Sequence, residues 1–381
     1  MKLHDPCCKR KSWHEWKLLV KRCIFLGGIV VLLAFRGTIA LAQAPERLWS
    51  IDLFQNKDFE KRLGVSELFL DSPSLGFLND SQIICDFYDL PQPGYKLTAH
   101  LPGYHVLEIS TKDGTLGREL DFQPIDDQSR ALPIEDGGFV VFTGRDLIKF
   151  SSEFVRGNSY SIGRDQAGDS MGRWLVDIAP SLQTILLYHL PAEVDAPGRW
   201  TWLSTKDFSV VKSLQSSRAT IVKTSDSAAI LNSFADRRLL NAPSPTPICI
   251  RCNAYFITDD LLFVDREESY FIQTVDGVRR AAGRLNIQAL DFARAAHAPR
   301  VAFLTGRYGG WGFPLKSHFN TLNGKFIVLD WNTNKRVGEI ELAEPVENPS
   351  AGFNQTALAL SPDGKYLAVL LHHTLSLYRL P

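Results

Sequence analysis

"LALSPDGKYLAVLLHHTLSLYRLP", Leu358 to Pro381, ends the chain and decides how the rest is read. Two tight turns divide it into three strands, around Ala357 to Leu360, Tyr366 to Leu371 and Thr374 to Leu380. A sheet that stops at three strands leaves a row of amide and carbonyl groups unpaired at its edge, so a fourth strand is expected from elsewhere in the chain. "LWSIDLF", Leu48 to Phe54, has the pattern for it: Trp49, Ile51 and Leu53 alternate with Ser50 and Asp52 at strand period. Pairing of this segment with the C-terminal strand would place both ends of the domain in one sheet.

The same grouping recurs along the chain. A strand is followed by a turn rich in Asp, Ser, Pro or Gly, then by a strongly apolar strand, then by an alternating one. The most apolar members are Ile83 to Tyr88, Phe139 to Phe142, Thr184 to His189, Ala228 to Leu231, Leu261 to Val264, Val301 to Leu304 and Tyr366 to Leu371. Their starts lie about 47 residues apart on average, a period that belongs to β-propeller blades. No long stretch carries helical periodicity. The expected fold is all-β, a seven-bladed β-propeller closed by an N-terminal strand, with six or eight blades as the neighbouring counts. Blade four, Ala219 to Ile250, is the weakest repeat, short, polar and interrupted by Pro243, Pro245 and Pro247.

Residues 1–42 read as a targeting segment. Lys9, Arg10, Lys11, Lys17, Lys21 and Arg22 precede the apolar run Cys23 to Phe35, and Ala40-Leu41-Ala42 is a small-residue cleavage site. That order predicts a signal peptide over 1–42 and one propeller domain over 43–381, periplasmic or secreted. The alternative is an uncleaved membrane anchor, since with one interruption at Arg36 the apolar stretch reaches from Cys23 to Ala44, close to the roughly 20 residues that span a bilayer. Residues 1–42 hold eight of the 42 Lys and Arg and two of the 42 Asp and Glu, so the remainder carries 34 basic and 40 acidic residues, a net charge of −6. That balance argues against nucleic acid, whose phosphates call for a basic face. A monomer is expected.

Ser361-Pro362-Asp363-Gly364 followed by an apolar strand resembles the repeat of YVTN-type and TolB-type propellers, exported bacterial members of the broad WD40-like group. Pro362 presets φ, Asp363 accepts from following amides, and Gly364 takes the positive φ that turns the chain back. A degenerate version reads "DSPSLGFLNDSQIICDF", Asp71 to Phe87, while the Trp-Asp ending of WD40 blades is replaced by the inverted Asp330-Trp331. The resemblance implies a fold and a tendency to bind protein or peptide partners; it implies no substrate.

In a propeller the connections from second to third strand emerge on one face. Three are long, Asp89 to Gly103, Leu190 to Gly198 and Thr305 to Lys325, and insertions gathered on one face mark a binding side. The longest holds Tyr308, Trp311, Phe313 and His318 among glycines, which offers aromatic anchors; Tyr104 and His105 border the first. These six are the candidate binding residues, with blade capping as the alternative role for Trp311 and Phe313 and packing for His105.

Cys249 and Cys252 have the spacing of a local disulfide, but no second pair completes a zinc site, and Asn253 stands where haem attachment needs His. Cys85 reads as a small core hydrophobe. His372 and His373, read as strand neighbours, would point to opposite faces, and Asp177, Asp259 and Asp291 read as strand-end and turn residues. No cofactor, metal site or catalytic constellation is expected. The leading expectation is a non-enzymatic exported scaffold that engages a protein, peptide or envelope component through the long-loop face; the alternatives are a lactonase-like hydrolase working at the central channel and a redox subunit using the Cys249/Cys252 pair.

Overall fold

The computed structural model describes residues 44–53, 68–91, 103–122, 129–162, 173–191, 193, 196–216, 222–233, 236–241, 246–250, 252–266, 269–285, 288–308, 320–342, 346–347, 356–371 and 373–381. The targeting segment expected over 1–42 lies outside them. The described residues form seven antiparallel sheets and no helix.

Blade one is built from β2 (Leu68–Asn79), β3 (Gln82–Pro91), β4 (Tyr104–Ser110) and β5 (Leu116–Phe122). Blade two holds β6 (Arg130–Pro133), β7 (Phe139–Phe142), β8 (Asp146–Phe150) and β9 (Arg156–Ser161), and blade three holds β10 (Arg173–Ile178), β11 (Thr184–Leu190), β12 (Gly198–Ser204) and β13 (Val210–Ser216). Blade four follows with β14 (Val222–Thr224), β15 (Ala229–Ser233), β16 (Asp236–Leu240) and β17 (Thr246–Ile250), and blade five with β18 (Asn253–Phe256), β19 (Leu261–Arg266), β20 (Ser269–Thr274) and β21 (Arg279–Arg284). Blade six is β22 (Gln288–Arg294), β23 (Arg300–Tyr308), β24 (Asn320–Asp330) and β25 (Lys335–Glu341), with β26 (Val346–Glu347) added to β24. Blade seven orders β1 (Glu46–Asp52), β29 (Thr374–Arg379), β28 (Tyr366–Leu371) and β27 (Thr356–Leu360) side by side.

Each of the seven apolar segments in the sequence is the second strand of its blade. Such a strand is covered on both faces by the neighbouring blades, which is why it reads as an unbroken apolar run; Leu261 to Val264 and Val301 to Leu304 are buried throughout. The core is accordingly seven layers. One apolar cluster fills each contact between consecutive blades, including the contact of blade seven with blade one. Outer strands are mostly exposed and charged, as in Arg279–Arg284, which protects the edge from pairing with other chains.

The first strand, β1, meets the last, β29, as the alternation requires. Trp49 stands opposite Leu377, Ile51 opposite Leu375 and Asp52 opposite Thr374. Leu53 is fully buried, and its amide donates to the His373 carbonyl at 3.0 Å. The Trp49 indole donates to the Thr111 carbonyl of blade one at 2.8 Å, so the closing strand grips both blades of the seam. In the turn before β28, Gly364 has φ of 72°, Lys365 N donates to Asp363 Oδ1 at 3.0 Å and Tyr366 N to Ser361 Oγ at 2.9 Å.

Two sequence readings change. Thr305 to Lys325 is not a loop throughout: β23 and β24 stay paired as far as Tyr308 opposite Thr321. The ladder runs past Gly306 and Gly324 through a register shift between Thr305 and Arg307. His373 belongs to the turn between β28 and β29 and not to a strand; its Nδ1 lies 3.1 Å from Asp52 Oδ2.

Candidate functional site: the axial channel

The first strands of the blades surround a channel of about 440 Å³. Its wall carries five charged side chains, Arg130, Asp177, Lys223, Asp291 and Arg294, among Ser74, Tyr255 and small or apolar groups. Because a first strand enters from the long-loop face and leaves at its short turn, residues late in these strands lie toward the short-turn face. Asp177 and Arg294 do so, and the turn residues Asp226 and Asp259 join them there.

Arg294 organises this end. Its Nη2 donates at 3.0 Å to the carbonyl of Ile178, carrying a side chain of blade six to blade three. Burial holds its pKa below the ordinary value, while Asp177, Asp259 and Asp226 pull it back up. A guanidinium stays charged in such a setting, so one cation faces three carboxylates. Those carboxylates also tie blades together. Asp177 Oδ2 accepts from Thr224 N at 2.8 Å, and Asp259 Oδ1 accepts from Asp226 N at 2.8 Å. Ser181 Oγ donates to Asp226 Oδ1 at 2.7 Å. The Asp259 carboxyl is pushed up to about 6, first by burial and then by the Asp226 side chain.

Nearer the middle of the channel, Asp291 is also raised to about 6; burial outweighs the Phe292 amide, Lys223 and Arg130, which draw it down. Behind the wall, Asp86 of β3 is 2% exposed. It accepts from Ser74 N at 2.9 Å, from Ala131 N at 2.6 Å, from the Tyr104 hydroxyl at 2.5 Å and from the Ser74 hydroxyl. One carboxylate thus fixes the first strands of blades one and two.

Comparison with solved structures finds the Pan2 WD40 domain of Neurospora crassa at 12% identity, covering 89% of this chain and 96% of that one, with a TM-score of 0.56. BBS1N in complex with ARL6DN aligns at 10% identity over 90% of this chain and 98% of that one, with a TM-score of 0.53. The fold is the WD40-type propeller. No protein-family model and no curated protein matches the sequence.

On this WD40-type scaffold two of the six candidate binding residues, Tyr104 and His105, have described side chains. Tyr104 is 1% exposed and packs between Tyr88 and Phe122, with ring centroids 5.1 Å and 6.1 Å away. Burial and Asp86 push its phenol well above the usual range. It is a core residue of the contact between blades one and two, not part of a surface. His105 is 4% exposed, with its ring 5.3 Å from Phe87; Nδ1 lies 2.7 Å from Asp121 Oδ1 and 3.5 Å from Glu119 Oε1. Tyr308 ends β23, and its side chain lies outside the described residues, as do Trp311, Phe313 and His318. Cys249 and Cys252 are joined in a disulfide with Cα atoms 6.1 Å apart, and Cys85 is a buried free thiol.

Sequence reasoning missed Asp86, Arg294, Glu119 and Asp121. Asp86 left a visible signal, a carboxylate inside the most apolar strand of its blade. Arg294 left none, because its partners come from blades three, four and five.

Proposed function

We propose that this chain is a non-enzymatic binding scaffold that engages a protein or peptide through the face carrying its long second-to-third-strand connections. The observation that carries the reading is the commitment of the axial carboxylates. Asp177 and Asp259 each accept a backbone amide of a neighbouring blade, as Asp86 does behind the wall, and Asp177, Asp226 and Asp259 share Arg294. Groups so engaged hold a ring together and are poorly placed to hold a substrate. A propeller with a similar fold, BBS1N, is found in a complex with ARL6DN, which supports a protein as the class of partner. Export, by the segment 1–42, and the finer kinship with YVTN-type and TolB-type propellers belong to the same proposal and rest on the sequence. Tyr308, Trp311, Phe313 and His318 are its proposed contact residues, and the scaffold is proposed to work as a monomer.

One observation favours the hydrolase instead. Asp291, raised to about 6, faces the channel and has the protonation range of a general base or acid. Two measurements separate the readings. Replacing residues 309–319 by a short Gly-Ser linker is expected to abolish capture of partners from an envelope or secreted fraction while leaving the melting temperature unchanged, and a lactone and ester panel is expected to show no turnover. Turnover lost in Asp291→Asn would establish the enzyme, and undiminished capture by the linker variant would refute the binding face.

A further inference from the structure

We propose that His105, Glu119 and Asp121 form a site for a divalent transition-metal ion at the seam where blade one meets blade seven. The three side chains each present one ligand atom, and these atoms lie within 4.8 Å of one another. Register explains the convergence. In the β4/β5 hairpin, His105 stands opposite Asp121 and Leu107 opposite Glu119. Directly paired residues share a face, as do residues two apart, so all three are aimed at one side of the sheet. That side is the one facing blade seven: Leu107 and Phe87, the residue opposite His105 on β3, pack in one cluster with Leu53, Leu375 and Leu377.

The separations suit an ion. Zinc binds imidazole nitrogen and carboxylate oxygen at about 2.0 to 2.2 Å, which places neighbouring tetrahedral ligands roughly 3.4 Å apart. Nδ1 lies 2.7 Å from Asp121 and 3.5 Å from Glu119, so small rotations of the exposed carboxylate bring both into range. Charge points the same way. The donor set matches a divalent ion in charge: two carboxylates and a neutral imidazole carry −2, which the ion brings to zero. The burial gradient is that of a site with an open side: the His105 side chain is 5% exposed, Glu119 12% and Asp121 56%. The buried imidazole is the fixed donor, and the exposed Asp121 is the one with room to turn toward an ion. A nitrogen donor beside two carboxylates selects zinc or manganese over calcium, which takes oxygen ligands almost alone.

Titration calorimetry of the full chain with Zn²⁺, Mn²⁺ and Ca²⁺, beside Glu119→Gln/Asp121→Asn, tests the site. The parent is expected to bind one Zn²⁺ or Mn²⁺, about tenfold or more weaker in the double variant and for Ca²⁺, and its melting temperature is expected to rise on binding because the ion favours the folded state. No binding by the parent, or equal binding by the variant, overturns the proposal and leaves an ion trio. Long-range ¹H–¹⁵N spectra of the parent decide independently of any variant's folding: the His105 Nδ1 resonance must shift on Zn²⁺ addition, and shifts confined to other histidines refute the assignment.

Discussion

Asp363 and Asp86 show what one carboxylate does in two environments. Asp363 sits in an open turn and accepts from Lys365 N and Ser361 Oγ, a local arrangement that its neighbours in the sequence announce. Asp86 is buried and joins two blades, and its partner Ala131 is 45 residues away. Asp291 is a third case, a carboxyl whose pKa in the fold, about 6, lies above the ordinary carboxylate value of 3.8. The neutral form is therefore favoured in the fold. The stabilisation it gives is fully present below the unfolded pKa near 4 and is lost as pH rises through about 6. Asp291→Asn, permanently neutral, is expected to be matched by the parent at pH 4 and to outlast it at pH 7 in thermal melts. Parallel melting curves across that range would remove the argument. Asp259 titrates in the same window, so the comparison between parent and variant, and not the parent's profile alone, carries the test.

Elements were read more surely than single residues, because a strand advertises itself through alternation and burial over five or more positions. Even blade four keeps four strands. Its Pro247 lies in the outer strand β17, opposite Arg238 at a register shift, where a missing amide costs little. The same turn function is met by different residues from blade to blade: Asp363 in blade seven, Asn79 toward Ser81 N, Asp136 toward Gly138 N and Ser181 toward Gln183 N. This substitution of one acceptor for another is why a single repeat matched the SPDG pattern well. The closing strand is the element with the largest testable effect. Deleting Leu48 to Leu53 removes the buried Leu53, the partly buried Leu48, Trp49 and Ile51, and the ladder to β29 from Trp49 to Asp52. At roughly 1.5 to 3 kcal/mol for each fully buried side chain, the loss is expected to reach about 5 kcal/mol. Urea denaturation of the truncated chain gives the answer, and a midpoint equal to the parent's would mean that the ring closes without its latch.

At the scale of the whole molecule, the ring is held at its rim by seven apolar layers and near its axis by Arg294, whose bond to Ile178 spans 116 residues. Arg294→Met would leave Asp177, Asp226 and Asp259 facing one another without their cation. Breaking a buried ion cluster by removing one partner costs about 3 kcal/mol or more, and the deficit is expected to shrink below pH 6, where Asp259 takes up a proton. A Met variant as stable as the parent at pH 8, measured by urea denaturation, would show that Arg294 is dispensable to the ring. By itself the sequence pointed to seven sheets, with six and eight as the neighbouring counts, and determined the place of the most apolar strand in each, the turn at Gly364 and the union of the first strand with the last. All of these follow from alternation and turn chemistry within a few residues, and a ring of like blades leaves little further freedom. Only the tertiary structure decided which charges meet at the axis, that Tyr104 is interior, and that His105 shares a face with Glu119 and Asp121. The axial contacts join blades far apart in the chain, and side-chain depth depends on how neighbouring sheets pack, so neither leaves a local pattern to read.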